Sequence, residues 1–233
     1  MNKPSPGISL TNGYRDRSAA GQVLARRISR DYSQEDPIVL ALPRGGISVA
    51  REVAETLKAP LHVFVVRKIG LPNQPGVAMG ALASGGVKLL DDALIAEAQL
   101  SPAVVAAQIA VETAELKRRE ALYRGERTTP PLEHRAVILV DDGVATGYTM
   151  RVCILALRQL NPSHLTVAIP VGAPEPCQLI EGLVDQLICP LRPEPFHAVG
   201  LAYDHFPPVT DEDIQADIEA AAQSLKRQKD SKR

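Results

Sequence analysis

The sequence predicts an α/β protein in which a central parallel sheet is flanked by helices. Short apolar runs of β-forming residues alternate with segments of helical periodicity, which is typical of this class. The loops that follow three of those runs also carry unusual combinations of glycine, arginine and aspartate. Ligands of open α/β sheets bind beyond the carboxyl ends of the strands, so the three loops predict a site there. The 233 residues suffice for one domain of this class with additions.

The first half of the chain predicts a helix and then a strand–helix–strand unit. Residues 15–30 place their alanine, valine, leucine and isoleucine side chains on one helical face. The strand–helix–strand unit is expected over 38–42, 47–57 and 61–66. Two parallel strands joined by a helix require a crossover, which is right-handed in nearly all proteins.

A glycine-rich stretch over 67–86 follows, and we expect it to be mobile or irregular. Within it, residues 77–83 and 87–90 flank Ser84-Gly85-Gly86, which predicts a small β-hairpin. Ser101 then caps a long helix that runs to about Arg124.

The second half of the chain continues the alternation of strands and helices. The expected elements are a strand over 137–140, a helix ending near 160, a strand over 165–170, a helix over 174–182 and a strand over 184–189. The proline-rich segment 190–208 predicts an ordered cap, and Thr210 with Asp213 caps a closing helix over 211–225. We expect one domain over 1–233, with a core of about 36–190 and a hood formed by the terminal segments 1–35 and 190–225.

Charge and composition exclude several functional classes. A net charge of −1 and a pI near 6.5 give no field that favours nucleic acid or an anionic membrane. Residues 1–14 are polar and lack the pattern of a signal peptide, and no apolar run has the length of a membrane span. We therefore expect a soluble, cytoplasmic protein. Cys153, Cys177 and Cys189 lack the spacing of a zinc site or a disulfide framework, so packing is their expected role.

The segment VILVDDGVATGYTM, residues 137–150, carries the strongest functional signal. A buried strand ends in Asp141 and Asp142, and a short loop then leads into an amphipathic helix. Such a turn directs backbone N–H groups, threonine hydroxyls and the positive end of a helix dipole at one point, which suits a phosphate. The two acids suit sugar hydroxyls, or a hydrated Mg²⁺ shared with that sugar. The alternative is a common Asp-Gly turn before an ordinary helix, with Thr146 as its cap.

This segment resembles the phosphoribosyl-pyrophosphate (PRPP) motif of type I phosphoribosyltransferases: four apolar residues, two acids, then a loop ending in Thr-Gly-x-Thr. The resemblance implies the fold of that family, with a central parallel sheet flanked by helices, a small hood and a hairpin-shaped flexible loop. It also implies that Asp141 and Asp142 hold the ribose hydroxyls and Mg²⁺. The resemblance assigns the loop to PRPP binding, through Gly143, Val144, Ala145, Thr146, Gly147, Tyr148 and Thr149. The last four of these, Thr146 to Thr149, would hold the 5′-phosphate.

Two further loops fit the same family. Pro43-Arg44-Gly45-Gly46 resembles its pyrophosphate loop, in which glycines allow close backbone approach and Arg44 contacts phosphate. Arg67-Lys68-Ile69-Gly70-Leu71-Pro72 resembles the segment that opens the mobile loop of adenine phosphoribosyltransferases. The resemblance implies that Arg67 and Lys68 contact pyrophosphate and act in catalysis as the loop closes over PRPP. The alternatives are an ordinary turn for the first loop and two solvated cations for the second.

The C-terminal segment 195–204 is similar to the base-binding end of hypoxanthine-guanine phosphoribosyltransferases. Phe196 would stack on the acceptor base, and Asp204 would lie near the metal. The specificity positions depart from both families. Ala145 stands where the hypoxanthine and guanine enzymes carry an acid, and the loop over 69–86 lacks the acid usual in adenine enzymes. The acceptor therefore stays open.

Over roughly residues 36–190, the sequence is identified as a member of the type I phosphoribosyltransferases, and it most resembles those of undefined substrate. The implied reaction displaces pyrophosphate from PRPP, with Mg²⁺, by a nucleobase-like or amine acceptor, as in nucleotide metabolism and purine salvage. The implied partners are PRPP and a small nitrogenous acceptor, without nucleic acid or membrane; a homodimer is compatible with the sequence. One alternative is a catalytically silent PRPP sensor, although residues 1–36 are too short and too balanced in charge for a winged helix. Another is an unrelated nucleotide-binding α/β protein.

Overall fold

The structure is a computed structural model that describes residues 13–124 and 130–230, apart from the side chains of Pro75 and Arg124. The helices are α1 (Arg17–Asp31), α2 (Gly46–Leu57), α3 (Asp92–Glu97), α4 (Pro102–Arg124), α5 (Tyr148–Gln159), α6 (Pro174–Glu181) and α7 (Asp211–Asp230). The strands are β1 (Ile38–Ala41), β2 (Leu61–Val63), β3 (Val66–Leu71), β4 (Gln74–Ala83), β5 (Val87–Leu90), β6 (Ala136–Val140), β7 (His164–Ala168) and β8 (Gln186–Ile188).

The central sheet has five parallel strands in the order β2-β1-β6-β7-β8, which confirms the predicted fold class. From β1 the chain proceeds to one edge of the sheet, and from β6 it proceeds to the other. The topological switch point therefore lies between β1 and β6, whose residues pair in register from Ile38 with Val137 to Ala41 with Val140. The loops that follow these two strands meet at the carboxyl edge, which is where such sheets bind ligands.

Strand alternation divides the core into two layers. In β1, Val39 and Ala41 pack into the layer that includes α1, α2 and α7, while Ile38 and Leu40 pack into the layer that includes α5 and α6. Strand β6 divides in the same way. All residues of both strands are buried, as expected for parallel strands covered on both faces.

A second, antiparallel sheet of three strands, β3-β4-β5, stands beside the first. It confirms the predicted hairpin, since Gly85 and Gly86 form its turn with φ angles of 85° and 79°. The expected strand over 61–66 was too long, because β2 ends at Val63 and the chain begins β3 at Val66. The expectation of irregularity over 67–86 was also wrong for most of that stretch, because Arg67 to Ile69 pair with Gly80 to Leu82.

Two helices differ from expectation. The short helix α3 was not predicted; the Asp91 side chain caps it by accepting a hydrogen bond from the Leu94 amide at 2.9 Å. Helix α7 extends five residues beyond the predicted end at Leu225 to Asp230. Its predicted cap is confirmed, since the Thr210 amide donates to Asp213 at 2.9 Å and the Asp213 amide donates to Thr210 Oγ1 at 3.1 Å.

The two terminal segments meet over the carboxyl edge of the sheet. Tyr14 forms a β-bridge with Tyr203, and both rings lie in a small apolar cluster with Val171. The hood over 1–35 and 190–225 stays a prediction, and the described residues within those bounds are in contact with each other. Residues 1–12 lie outside the described part of the chain. The assignment of 1–233 to one domain stays a prediction. Within the described ranges, no helix combines the length and apolar character needed to cross a membrane.

Candidate functional site

The loop after β6, residues 143–149, is the predicted phosphate site, and we call it the phosphate cradle. Val144 fixes it to the loop after β7, with the Val144 amide 3.0 Å from the Val171 carbonyl and the Ala173 amide 2.9 Å from the Val144 carbonyl. Gly147 takes the left-handed conformation, with a φ of 73°, and α5 begins at the next residue. Gly147 has no side chain to cap α5, and the Tyr148 amide makes a long hydrogen bond of 3.5 Å to Thr146 Oγ1. The other amides of the first turn, together with exposed Thr146 and Thr149, are available to an anion.

Asp141 and Asp142 lie half-buried where β6 ends, and their charges interact. The Asp142 amide donates to Asp141 Oδ1 at 2.8 Å. Burial raises the pKa of both carboxyl groups, and the Asp142 charge adds to the effect at Asp141, whose pKa lies well above its ordinary range. The Arg17 guanidinium opposes the shift at both positions. The pair therefore carries unfavourable electrostatic energy that a cation or hydroxyl donors would relieve.

Arg17 is the site residue that sequence reasoning missed. Its Nε lies 2.9 Å from Asp142 Oδ2, with side-chain exposures of 11% for Arg17 and 14% for Asp142. It also donates to the Pro207 carbonyl at 2.7 Å and stacks on the Phe206 ring, with Cζ 3.7 Å from the ring centroid. The hydroxyl of Tyr203 donates to the Asp142 carbonyl. Residues from both terminal segments thus contact the second acid.

The glycines of the loop after β1 allow it to pack against these acids. A Cβ at Gly45 would clash with the Asp142 carboxylate, and one at Gly46 would lie 2.7 Å from the Val140 carbonyl oxygen. Gly143 is similarly enclosed, since a Cβ there would lie 2.6 Å from Val199 Cγ1. The peptide bond between Pro43 and Arg44 is cis. Close approach of the two loops therefore accounts for Gly45 and Gly46, whereas Gly143 packs against Val199 and Val171.

The three basic side chains that were predicted to bind pyrophosphate lie in different parts of the structure. Arg44 is exposed and its guanidinium faces the start of α7, 3.3 Å from Asp211 Oδ1. Arg67 forms an ion pair with Glu112 of α4 at 2.8 Å. Lys68, on the opposite face of β3, lies with Nζ 5.5 Å from the centroid of the Tyr148 ring at the start of α5. Of the three cations, Lys68 is therefore the one placed beside the phosphate cradle.

Phe196 meets the phosphate loop across a cavity of about 670 Å³. Ala145 and Thr146 form one side, and the hood residues Glu194 to His197 and the start of α6 form the others. This arrangement brings the predicted stacking residue to the predicted loop. The cavity is large enough for a nucleobase-sized molecule.

Asp204 is exposed, and the contact given for it is a backbone one, from its amide to the Tyr14 carbonyl at 2.8 Å. Within 13–124 and 130–230, no group of three histidine, cysteine, aspartate or glutamate residues is arranged to hold a metal. Asp141 and Asp142 supply two adjacent carboxylates, which fits a Mg²⁺ whose other ligands come from substrate and water. A metal role for Asp204 stays a prediction.

Comparison with known proteins identifies relatives of the chain. Residues 15–203 match the family described as the phosphoribosyl transferase domain. A Mycobacterium tuberculosis protein, provisionally named as a phosphoribosyl transferase, is 37% identical over 208 residues, or 89% of this chain and 47% of the relative. The chain thus spans about half the length of the curated relatives it matches. The crystal structure of TT1426 from Thermus thermophilus is 37% identical with a TM-score of 0.77, and the match covers 88% of this chain and 97% of that one.

Proposed function

The chain belongs to the phosphoribosyl transferase domain family, and from that premise we propose that it transfers ribose 5-phosphate from PRPP to a nitrogen nucleophile, with release of pyrophosphate. The observation that carries the proposal is the arrangement after β6. Two adjacent carboxylates stand beside a phosphate cradle at the switch point of a parallel sheet. PRPP presents a phosphate and vicinal ribose hydroxyls, so one molecule matches both features.

The cradle would hold the 5′-phosphate. Thr146, Thr149 and the first-turn amides of α5 donate hydrogen bonds, and the left-handed Gly147 lets the backbone turn around the anion. A side chain at this glycine would be strained by its φ of 73° and would lie 3.1 Å from Pro176 Cβ. Fixing the phosphate positions C1 of the ribose for attack, and positioning of this kind contributes several kcal/mol to catalysis.

The two acids would hold the ribose hydroxyls and Mg²⁺. When bound, the metal would neutralise charge on the departing pyrophosphate. Asp142 is already oriented by Arg17, while Asp141 has no cation of its own at hydrogen-bond distance among the contacts of the described residues. Hydroxyl donors from ribose would satisfy the Asp141 carboxylate and lower its pKa, so binding and ionisation should be linked.

The leaving pyrophosphate would lie between the loop at 43–46 and β3. Lys68 supplies a cation next to the cradle, and Arg44 and Arg67 could join it only by leaving Asp211 and Glu112. The protein would stabilise the separated charge of an oxocarbenium-like transition state, and the surrounding loops would exclude water.

The acceptor would occupy the cavity between Ala145 and Phe196, where the ring can stack on a flat base. Ala145 offers no side-chain proton acceptor, so the acceptor nitrogen must lose its proton to another group or to water. Nucleotide metabolism in the cytoplasm, including purine salvage, is the setting that fits this chemistry. A nucleobase and an amine both fit the cavity.

A PRPP sensor without transfer activity is the second candidate. The observation that favours it is that two of the three predicted pyrophosphate cations, Arg44 and Arg67, are engaged in ion pairs. A binding module needs the cradle and the acids but not a charge-stabilising cluster at the leaving group.

Pyrophosphate release from PRPP and Mg²⁺ tests the proposal across a panel of purines, pyrimidines and small amines. Release that depends on one acceptor, and disappears when Asp141 and Asp142 are both changed to Asn, supports transfer. PRPP binding with no release across the whole panel supports the sensor. Failure to bind PRPP contradicts both.

A further inference from the structure

Two thiols that are separated in sequence meet beside the site. Cys177 lies in α6 and is fully buried, and Cys189 follows β8 and is half-buried. Their Sγ atoms lie 3.9 Å apart, and neither is in a disulfide. The spacing of the cysteines along the chain gives no hint of this pairing, because the fold of the β7–α6–β8 unit creates it.

Gly172 makes room for the two sulfur atoms. A Cβ at this position would clash with Cys177 Sγ and would lie 3.4 Å from Cys189 Sγ. The neighbouring backbone is fixed, since the Gly172 amide donates to the Leu191 carbonyl at 3.0 Å. The same carbonyl accepts a weak hydrogen bond from the Cys189 thiol at 3.4 Å. The thiol pair therefore lies in an enclosure that a side chain at residue 172 would fill.

The pair is accessible from one side, and the pKa values of its two thiols are shifted in opposite directions. Cys189 lines a cavity of about 230 Å³, which Arg27 and Arg192 also line. The hydrogen bond between the thiols lowers the pKa of Cys177, with help from the Arg192 guanidinium, and raises the pKa of Cys189. A thiolate is the nucleophile in disulfide exchange, so the lowered pKa of Cys177 favours it as the thiol that closes the bond. Cys153, by contrast, is buried in α5, and its burial raises its pKa.

We propose that Cys177 and Cys189 are a reversible dithiol–disulfide site that exchanges with low-molecular-weight disulfides such as oxidised glutathione. Both residues start as thiols; Cys189, which faces the cavity, loses its proton to water and attacks one sulfur of the reagent, whose other half leaves as a thiolate. Cys177 then loses its proton and attacks Cys189 Sγ, and the second half leaves. The protein loses two electrons and two protons in total, and the reagent takes up both as two thiols.

Closing the bond would act on the wall of the larger cavity. The sulfur atoms must move from 3.9 Å to roughly 2.0 Å apart, which draws the start of α6 toward the end of β8. The start of α6 also lines the cavity at Phe196, and the preceding Ala173 is hydrogen-bonded to Val144 of the phosphate loop. An effect of oxidation on acceptor or PRPP binding rests on the proposed function, whereas bond formation does not.

Intact-mass measurement on the full chain tests the bond directly. After exposure of the folded protein to oxidised glutathione and alkylation of the remaining thiols, one thiol should stay modifiable and two should be lost as a disulfide. A glutamate-specific protease cleaves after Glu181, between the two cysteines, so the disulfide should hold the two peptides together until a reductant is added.

Variants in which one of the three cysteines is replaced by serine supply the controls. Cys153→Ser should form the same cross-link, and Cys177→Ser and Cys189→Ser should not. A stable glutathione adduct on Cys189 without the cross-link would overturn the proposal. So would a bond involving Cys153, or three fully modifiable thiols after treatment. Because the readout is mass, a failure here is distinguishable from a failure of PRPP binding or transfer.

Discussion

Asp141 and Asp142 are adjacent in the sequence, but their electrostatic surroundings differ. Burial raises the pKa of both, but an ion pair with Arg17 at 2.9 Å opposes the shift at Asp142, whereas the charge of Asp142 adds to the shift at Asp141, whose pKa lies well above its ordinary range. A carboxylic acid whose folded-state pKa is raised binds its proton more tightly when folded than when unfolded. Its contribution to the free energy of unfolding therefore declines as the pH rises from its ordinary pKa through the raised value.

Neutralising each acid alone should consequently have opposite effects on the ligand-free protein. We expect Asp141→Asn to raise the melting temperature at neutral pH by about 2–4 °C, the shift that ~1 kcal/mol makes in a domain of this size. The amide keeps the acceptor for the Asp142 amide. We expect Asp142→Asn to lower the melting temperature, because it leaves the charge of Arg17 buried without a counter-ion.

Thermal melts of both variants between pH 4 and pH 8 measure this difference. The gain from Asp141→Asn should shrink at the acid end, where the wild-type carboxyl group is protonated. A loss of stability in Asp141→Asn at neutral pH would show that its charge is structural rather than held for a ligand. Both variants should bind PRPP at least tenfold more weakly.

The contribution of Lys68 to transfer can be measured against Lys88, a control lysine in the same small sheet. The two lysines lie on opposite faces of the small sheet, since Lys88 pairs with Leu82 and Lys68 pairs with Ala81. We expect Lys68→Ala to lower turnover more than it weakens PRPP binding, because charge on pyrophosphate grows toward the transition state.

Single-turnover rates and PRPP dissociation constants in the two variants measure that contrast. Lys88→Ala should match the wild type in both quantities. Equal losses of affinity and kcat/KM in Lys68→Ala, with kcat unchanged, would remove Lys68 from the catalytic residues and would fit a sensor.

Whether a site residue could be predicted from the sequence depended on how far along the chain its contact partner lies. The acids, the cradle and Phe196 could be named from the sequence because local motifs or a family resemblance carry them, and their binding roles stay predictions. Arg17 was not, because its partner Asp142 is 125 residues away and an arginine near the start of a helix has no distinctive pattern. The ion pairs of Arg44 and Arg67 were missed for the same reason, since Asp211 and Glu112 come from distant helices.

At the scale of elements, the parallel strands and their helices could be predicted because β1 and β6 are apolar on both faces and glycines and prolines mark their ends. The strand β3 was missed because its sequence combines cations with glycine and resembles a loop. Its pairing with β4, across 80–83, supplies the stability that local propensity lacks.

The contact between the loops after β1 and β6 should be sensitive to one methyl group. Gly45→Ala places a Cβ against the Asp142 carboxylate, so the loop or the acid must move. We expect a loss of stability of about 1–3 kcal/mol, and a loss of PRPP affinity of at least tenfold because the acid is displaced.

Gly182→Ala is the matched control, since its Cβ would meet only the Leu179 carbonyl oxygen at an ordinary 3.6 Å. Denaturant unfolding and PRPP titration of both variants test the loop contact. Wild-type affinity in Gly45→Ala would show that the two loops do not act as one site.

At the scale of the whole molecule, the two terminal segments pack against each other over the carboxyl edge of the central sheet. Arg17 from α1 lies on the Phe206 ring, and Tyr203 lies between Tyr14 and Phe206, with ring centroids 5.6 Å and 4.9 Å away. This hood could be predicted as a cap from its prolines and aromatics, but its attachment to Asp142 could not.

A substitution in the hood that removes a contact with Arg17 should weaken PRPP binding, although the substituted residue does not itself contact PRPP. We expect Phe206→Ala to lower the melting temperature and to reduce PRPP affinity several-fold, because Arg17 loses the ring that holds its guanidinium in place. Leu201→Ala, in the same segment but 75% exposed, should change neither quantity measurably. Equal affinities in the two variants would show that the hood does not position Asp142.

We expect the switch point between β1 and β6 to be a PRPP site. Calorimetric titration of the protein with PRPP in the presence and absence of Mg²⁺ tests it most directly, with a parallel thermal melt. We expect saturable binding that Mg²⁺ strengthens, and a stability gain of roughly 2.7 kcal/mol at a hundred times the dissociation constant. The Asp141→Asn variant should bind at least tenfold more weakly although its fold is intact. No heat and no shift in melting temperature at millimolar PRPP with Mg²⁺ would contradict the claim.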